Sequence, residues 1–284
     1  MEPVHLLYVA CGRADISVQA LYAAYSALAY QGSLNLSIHI YTDDLAFFHP
    51  LAGHIALHEV TAETLRSWRG PGDYPFRIKI AAIADLAKNE SAAKVLFADA
   101  DTFFFAEMAP AYERADKQNA VMHRKEYLIS RHPTRQLQRF RDRMGKFRFR
   151  GSAVDLNSDM WNSGAIGLHA SQFHLLETIL AFIDTVSPHY KKQLVEQYAV
   201  SYYLQKNAQV HPCDDRLFHY WNQKAEYGKA ISQRLERWRS LPLEAALQEL
   251  RQNRIELPPY QPQHGWLRRL SDRILGEGRE SGGV

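Results

Sequence analysis

Short apolar runs alternate with longer segments of helical spacing over the first hundred residues. The strand candidates are His5 to Ala10, Leu36 to Tyr41, the weaker Ile55 to Val60 and the run that ends at Ala98, and the helix candidates are Ile16 to Tyr30 and Arg77 to Leu86. Strands that alternate with helices predict an α/β fold, a mostly parallel sheet with helices on both faces. In such a sheet, ligands bind at the carboxyl ends of the strands.

Two aspartates follow the last of these strands. Asp99 and Asp101, with one residue between them, come directly after the apolar run Val95 to Ala98. Two carboxylates that leave a buried strand repel each other and resist burial. A divalent cation that prefers oxygen ligands, such as Mg²⁺ or Mn²⁺, would resolve that conflict. The alternative is a strand that ends in a polar turn, with both aspartates in water.

The second half of the chain is more mixed and ends in a helical extension. A strand at Met160 to His169, helices at Phe173 to Val186 and Glu196 to Lys206, and a short strand near Val210 are expected. From Glu226 onward the segments are charged and helical, so we divide the chain into a domain at 1–225 and an extension at 226–284. Within the extension, the basic amphipathic segment Trp266 to Leu270 is either a peripheral membrane contact or an ordinary terminal helix, and Gly276 to Val284 is expected to be disordered.

Composition narrows the environment in which the chain works. Hydrophobic residues make up 46% and charged residues 23% of the sequence, as in an ordinary globular protein. The two cysteines, Cys11 and Cys213, form no disulfide framework, and the amino terminus does not resemble a signal peptide. We therefore expect a cytoplasmic protein.

Positive charge is concentrated between His123 and Arg150. This segment contains ten Lys or Arg residues against two acidic ones, Glu126 and Asp142. It would attract an anionic partner, or it is the solvated face of an exposed helix over Thr134 to Lys146. No nucleic-acid recognition motif accompanies the charge, so we expect no nucleic-acid partner.

Six motifs along the chain occur in an order that is informative as a set. They are IYTDD (40–44), RIKI (77–80), VLFADADTFF (95–104), WNSGAIGL (161–168), EQYAV (196–200) and FHYWNQK (218–224). In this order they resemble nucleotide-sugar glycosyltransferases of the GT-A fold, especially the retaining enzymes related to glycogenin and to the bacterial lipopolysaccharide galactosyl- and glucosyltransferases. The resemblance spans Leu6 to Lys224. It implies a Rossmann-like GT-A domain that transfers a sugar from a nucleotide-diphosphate sugar, usually a UDP-sugar, to a glycan or lipid-linked acceptor.

The same resemblance implies a role for individual residues. Asp99, Asp101 and His219 would bind the metal, Mn²⁺ or Mg²⁺, and Asp99 would also lie near the ribose. Lys224 would contact the diphosphate. The remaining roles are the nucleotide pocket for Ala10, Cys11, Thr42 and Asp43, the sugar-phosphate region for Arg77 and Lys79, and the sugar and acceptor for Asn162 to Gly164, Glu196 and Gln197.

Two other classes of function compete with this interpretation. The stretch from His219 to Lys224 lacks the glycine that these families have there, which leaves a noncatalytic homologue that binds a nucleotide sugar or a protein partner. An Asp-x-Asp-x-Thr strand end would instead indicate an aspartyl-phosphate phosphohydrolase. Here Thr102 directly follows Asp101, so the spacing is one residue short of that motif.

Overall fold

A computed structural model describes residues 2–90 and 92–256 of the chain. The segments predicted at Trp266 to Leu270 and at Gly276 to Val284 lie outside the described residues. The strands are β1 Val4–Ala10, β2 Leu36–Thr42, β3 Ala56–Glu59, β4 Lys94–Ala98, β5 Thr102–Phe104, β6 Asn119–Leu128, β7 Arg148–Phe149, β8 Ser152–Ala153, β9 Asp159–His169, β10 Gln209–Pro212 and β11 Leu217–His219. The helices are α1 Ala14–Tyr30, α2 Ala62–Arg69, α3 Arg77–Asn89, α4 Ala109–Glu113, α5 Arg135–Met144, α6 His174–Val186, α7 Leu194–Asn207, α8 Lys224–Trp238 and α9 Leu243–Gln252.

Seven of these strands form one central sheet, in the order β10-β6-β9-β4-β1-β2-β3. Neighbouring strands run parallel except at β9, which is antiparallel to both β4 and β6. The prediction of an α/β fold with a mostly parallel sheet is therefore confirmed. The exception matters for the site, because β9 brings its first half, rather than its last, to the carboxyl end of β4.

The sheet is buried on both faces, as predicted. Leu6 and Tyr8 of β1 pack in one apolar cluster with α1, α8 and α9, and Leu7 between them packs in a second cluster with α3, α6 and α7. Successive side chains of a strand point to opposite faces, so a fully buried strand must be apolar at consecutive positions. This explains the continuous apolar runs in the sequence.

The helical extension packs against α1. Trp238 of α8 stacks on Tyr22 of α1, with ring centroids 5.8 Å apart, and Leu247 and Leu250 of α9 belong to the same apolar cluster. The helical character expected after Glu226 is confirmed, although the helix begins at Lys224, and the division at 225 stays a prediction. Of the helices in the described ranges, none has the length and apolarity that crossing a membrane requires.

Some elements differ from the sequence-based expectation. The strand β6 was not predicted, because charged residues and His123 interrupt its apolar pattern from the fifth position onward. The helix expected at Thr134 to Lys146 is present as α5, but it is not simply exposed. Its positions 137, 140 and 144 are buried, so this helix presents only its arginine-rich side to solvent.

Three histidines form a hydrogen-bonded chain across the first three strands. His5 Nδ1 lies 2.8 Å from His39 Nε2, and His39 Nδ1 lies 2.9 Å from His58 Nε2. Burial, together with the neighbouring His5 and His58, lowers the pKa of His39 to about 4. Burial also lowers the pKa values of His5 and His58, with Glu90 opposing it. All three imidazole rings are therefore neutral in the folded protein at pH 7.

We expect stability to fall as the pH decreases from about 6.5 towards 4. A histidine whose folded pKa lies below its unfolded value binds its proton more readily in the unfolded chain, so acid favours unfolding. For His39 alone the loss at pH 5 is about 2 kcal/mol. Denaturant unfolding at pH 7 and pH 5 measures it. In His39→Phe, which keeps ring stacking, the difference between the two pH values should shrink; an unchanged difference would contradict this account.

Candidate functional site

Asp99 and Asp101 lie in the tight connection between β4 and β5. The Asp99 N–H donates to the Gly164 carbonyl (2.9 Å), and the Tyr220 N–H donates to the Asp101 carbonyl (3.1 Å). The Thr102 hydroxyl also donates to the Asp99 carbonyl, at 2.7 Å. Backbone hydrogen bonds from β9 and from the end of β11 thus fix both aspartates, and Thr102 closes the turn between them.

His219 reaches the aspartates because β11 pairs with β5. In this antiparallel pair His219 stands opposite Thr102. Its Nε2 lies 3.3 Å from Asp101 Oδ1 and 3.9 Å from Asp99 Oδ2. One ligand atom from each of these three residues lies within 4.8 Å of the others, a cluster that could hold a metal ion.

Asn162 and Gly164 of β9 set the orientation of the His219 ring. Asn162 Oδ1 lies 2.9 Å from His219 Nδ1 and also accepts the Gly164 N–H at 2.9 Å. Because the Gly164 N–H can only donate, the Asn162 atom is an acceptor, and His219 Nδ1 must carry the proton. Nε2 is then the ring nitrogen that faces the two aspartates, as in a metal-binding histidine.

Lys79 is a buried cation beside the aspartates. Its Nζ lies 3.1 Å from Asp99 Oδ1 and 3.6 Å from Glu196 Oε2, and it donates to the Ser163 carbonyl at 3.1 Å. Burial works to lower the pKa of Lys79, but Asp99 and Glu196 raise it above its usual value. The ammonium group is therefore charged, and its positive charge lies beside two of the carboxyl groups in the site, those of Asp99 and Glu196.

Glu196 has no exposed surface. The Ser163 hydroxyl donates to its Oε2 at 3.1 Å, and its Oε1 has no hydrogen-bond partner within the described ranges. Burial raises the pKa of Glu196 to about 7, while Lys79 lowers it. A carboxyl group with a pKa near neutrality is typical of functional sites, yet Glu196 is fully buried and contacts Ser163 and Lys79.

Glu126 belongs to the site although the sequence did not indicate it. Asn162 Nδ2 donates to Glu126 Oε1 at 3.0 Å, and Gln197 Nε2 donates to Glu126 Oε2 at 2.8 Å. Lys125 pairs with Trp161 and Tyr127 with Met160, so Glu126 is the extra residue of a β-bulge. The only signal in the sequence was an acidic residue within a basic segment.

The ends of β1 and β2 lie along the same edge of the sheet as Asp99. Ala10 pairs with Thr42, and the Gly12 N–H donates to Asp43 Oδ2 at 2.8 Å. Since β4, β1 and β2 are parallel neighbours, their carboxyl ends lie side by side. The side chains of Ala10 and Thr42 are fully buried, whereas Cys11 is half-buried and Asp43 is exposed. Burial, with the nearby Asp43, raises the pKa of the Cys11 thiol to about 12.

Arg77 is placed away from the aspartates. Its guanidinium forms a bidentate ion pair with Asp184 of α6, at 2.7 and 3.0 Å, and donates to the Trp68 carbonyl at 2.9 Å. These contacts tie α3 to α6 and to the end of α2. The structure gives Arg77 these structural contacts, and its predicted contact with the sugar phosphate stays a prediction.

Lys224, in contrast, reaches the site from the first turn of α8. Its Nζ lies 2.7 Å from Asp101 Oδ2, and its side chain is 52% exposed. Burial raises the pKa of Asp101, but the contacts with His219 and Lys224 outweigh burial and hold that pKa well below its usual range. Asp101 is therefore ionised and available to a cation.

Replacing Gly164 should disturb the metal-binding geometry. An added Cβ would lie 2.1 Å from His219 Nδ1, so the ring must move. We expect Gly164→Ala to weaken Mn²⁺ binding about 10–100-fold, as loss of an orienting partner does, measured by calorimetric titration. Gly228→Ala is the control, because nothing lies within 4 Å of that position. It should leave metal binding unchanged and raise stability by up to about 1 kcal/mol; equal metal affinity in both variants would contradict the prediction.

Replacing Glu126 by glutamine should separate the two amides that it holds. A carboxylate accepts from both, whereas a glutamine offers one acceptor oxygen and one NH₂. The oxygen of Asn162 is held by Gly164 and His219, so its NH₂ group still points at residue 126 and takes the single acceptor oxygen of the glutamine. The NH₂ group of Gln197 therefore loses its partner. We expect Glu126→Gln to lower the free energy of unfolding by about 1–3 kcal/mol and to leave Mn²⁺ affinity close to that of the wild type. The exposed Glu113→Gln is the control for denaturant unfolding, and equal losses in the two variants would refute the predicted clamp.

Comparisons with known proteins do not assign the chain to a family. No protein-family model matches it, and no curated protein sequence matches it. Among solved structures, it is similar to mouse xyloside xylosyltransferase 1 in its apo form, with 15% sequence identity and a TM-score of 0.49 over 82% of this chain and 93% of that chain. A likeness this distant assigns neither a family nor a substrate.

Proposed function

We propose that the chain is a metal-dependent glycosyltransferase. It would transfer a sugar from a nucleotide-diphosphate sugar, a UDP-sugar by the resemblance of its motifs, to a hydroxyl group of a glycan or lipid-linked acceptor. The observation that supports this most is the convergence of Asp99, Asp101 and His219 at the carboxyl edge of the parallel sheet. The exposed ends of β1 and β2, at Cys11 and Asp43, lie along the same edge and would receive the nucleotide.

The donor atoms suit a divalent cation. Asp101 is ionised, and because His219 Nδ1 is bonded to Asn162, Nε2 is the ring nitrogen that would bind a metal. Carboxylate oxygens suit Mg²⁺ and Mn²⁺ alike, but an imidazole nitrogen suits a transition metal better than Mg²⁺. We therefore propose Mn²⁺ as the metal that Asp99, Asp101 and His219 hold.

The residues around the metal position would bind and orient the donor. A bound metal supplies Lewis-acid stabilisation of the diphosphate leaving group. Lys224 would add a positive charge at the exposed side, and Lys79 would hold Asp99 in place. Gln197 Nε2 is held by Glu126, which leaves the side-chain oxygen Oε1 of Gln197 as an acceptor for a hydroxyl of the sugar or of the acceptor molecule.

The burial of Glu196 bears on which group takes the proton from the hydroxyl of the acceptor. A general base must come within hydrogen-bond reach of the hydroxyl that it deprotonates, and Glu196 has no exposed surface. We therefore propose that an oxygen of the departing diphosphate takes this proton, which is compatible with retention of configuration at the sugar. Glu196 then acts by holding Lys79 and Ser163.

The acceptor is proposed to be anionic or attached to an anionic surface. The helix α5 packs on α7 through Phe140 and Tyr198, whose ring centroids are 5.6 Å apart, and Tyr198 adjoins Gln197. On its outer side, Arg135, Arg139 and Arg143 are exposed and have no ion-pair partner among the described residues. This arginine-rich side therefore lies one helix away from the proposed acceptor position.

Calorimetric titration with UDP, with and without Mn²⁺, tests the proposed site. We expect UDP to bind wild type only with Mn²⁺, and Asp101→Asn to weaken that binding at least about 100-fold, because even an outer-shell loss costs 10–100-fold. Asp142→Asn on the exposed side of α5 is the control and should bind as wild type does. Wild type that binds neither UDP nor another nucleoside diphosphate in Mn²⁺ would overturn the proposal.

Turnover distinguishes the remaining classes of function. Mn²⁺-dependent hydrolysis of a UDP-sugar would identify an enzyme, whereas binding without turnover of any nucleotide sugar would favour the noncatalytic homologue. Release of phosphate from simple phosphomonoesters would favour a phosphohydrolase instead.

A further inference from the structure

Lys224 forms an ion pair with the carboxylate of Asp101, which the metal would also bind. Its Nζ lies 2.7 Å from Asp101 Oδ2, and Asp101 is itself one of the three candidate metal ligands. An ammonium group and a divalent cation that share one carboxylate repel each other. Binding of the metal and the contact between Lys224 and Asp101 therefore oppose each other.

The two lysines of the site differ in how firmly they are held. Lys79 is only 8% exposed and contacts Asp99, Glu196 and Ser163. Lys224 is half-exposed, and Asp101 is its only hydrogen-bond partner among the described residues. Lys79 is thus fixed by several groups from three elements, whereas the exposed Lys224 can leave Asp101 by rotating its side chain into solvent.

The position of Lys224 favours an exchange of one anionic partner for another. Lys224 is the first residue of the fifteen-residue helix α8. A cation in the first turn of a helix is disfavoured by the helix dipole, and a nearby anion offsets that effect. Asp101 supplies that anion here, and Asp15 also lies close enough to interact with Lys224. A diphosphate would offer the same compensation with more charge.

We propose that Lys224 is an electrostatic switch that couples metal binding to diphosphate binding, an inference that rests on the proposed function. Without ligands, its ammonium neutralises Asp101. When Asp101 binds the metal, the ammonium moves to the diphosphate, so the metal and the nucleotide each strengthen the binding of the other. Such coupling is reciprocal by thermodynamic necessity.

Titration of Mn²⁺ alone into Lys224→Met tests the proposal, because it shows whether the affinity for Mn²⁺ rises or falls when the ammonium group is removed. Removal of a competing cation should tighten Mn²⁺ binding about 3–10-fold, while UDP in saturating Mn²⁺ should bind about 10-fold more weakly, within the usual range of coupling between sites. A lysine that only supports the fold would, when replaced, weaken both. Lys229→Met, at an exposed position of the same helix, is the matched control and should change neither affinity.

A second variant keeps the inference testable if Lys224→Met folds poorly. Lys224→Arg retains the charge, so its Mn²⁺ affinity should stay close to that of wild type. If wild type binds Mn²⁺ and UDP but Lys224→Met binds Mn²⁺ no more tightly, the switch is refuted and the proposed function stands. If Lys224→Arg binds Mn²⁺ more tightly than wild type and Lys224→Met does not, the switch is also refuted. If wild type binds neither Mn²⁺ nor UDP, the proposed function fails and the switch fails with it.

Discussion

A buried ammonium group between two carboxylates is the interaction on which the site depends. Lys79 lies 3.1 Å from Asp99 Oδ1 and 3.6 Å from Glu196 Oε2. Without it, Asp99 would lose its ion-pair partner, a loss that costs about 3–5 kcal/mol in a buried pair, and the buried Glu196 would take up a proton. The same ammonium contacts Ser163, so one side chain joins α3, the loop after β4, β9 and α7. The position of Asp99 therefore depends on α3, β9 and α7 as well as on its own turn.

The helix that carries Lys79 shows what helix geometry could have predicted. Arg77 and Lys79 stand two residues apart, and neighbouring positions on a helix are about 100° apart around its axis, so these two side chains point about 200° apart. Only one of them can face the sheet edge. Lys79 faces it, and Arg77 turns to Asp184 on the other side. The motif predicted a cation at this place, but the motif alone did not distinguish which of the two residues supplies it.

The strands were predictable where they are apolar and not where they line the site. β1 and β4 have continuous apolar runs, β2 alternates apolar residues with Ser37 and His39, and all three were predicted. β6 was missed because its polar and charged residues from His123 to Glu126 interrupt the apolar pattern. The bulge at Glu126 depends on the register between β6 and β9, which local sequence does not specify. The antiparallel direction of β9 was likewise not predictable, although it is what places Asn162 beside His219.

The contacts divide the site into a fixed side and an open side. On the fixed side, Glu126 holds Asn162, Asn162 holds His219, and Gly164 leaves space for the ring. Each of these groups has a partner whose donor or acceptor role is determined, so the candidate metal ligand His219 is positioned before any ligand binds. On the open side, Asp43 and Lys224 are exposed and have few contacts. With a preorganised interior and an adjustable edge, only the edge would have to rearrange when the proposed nucleotide binds.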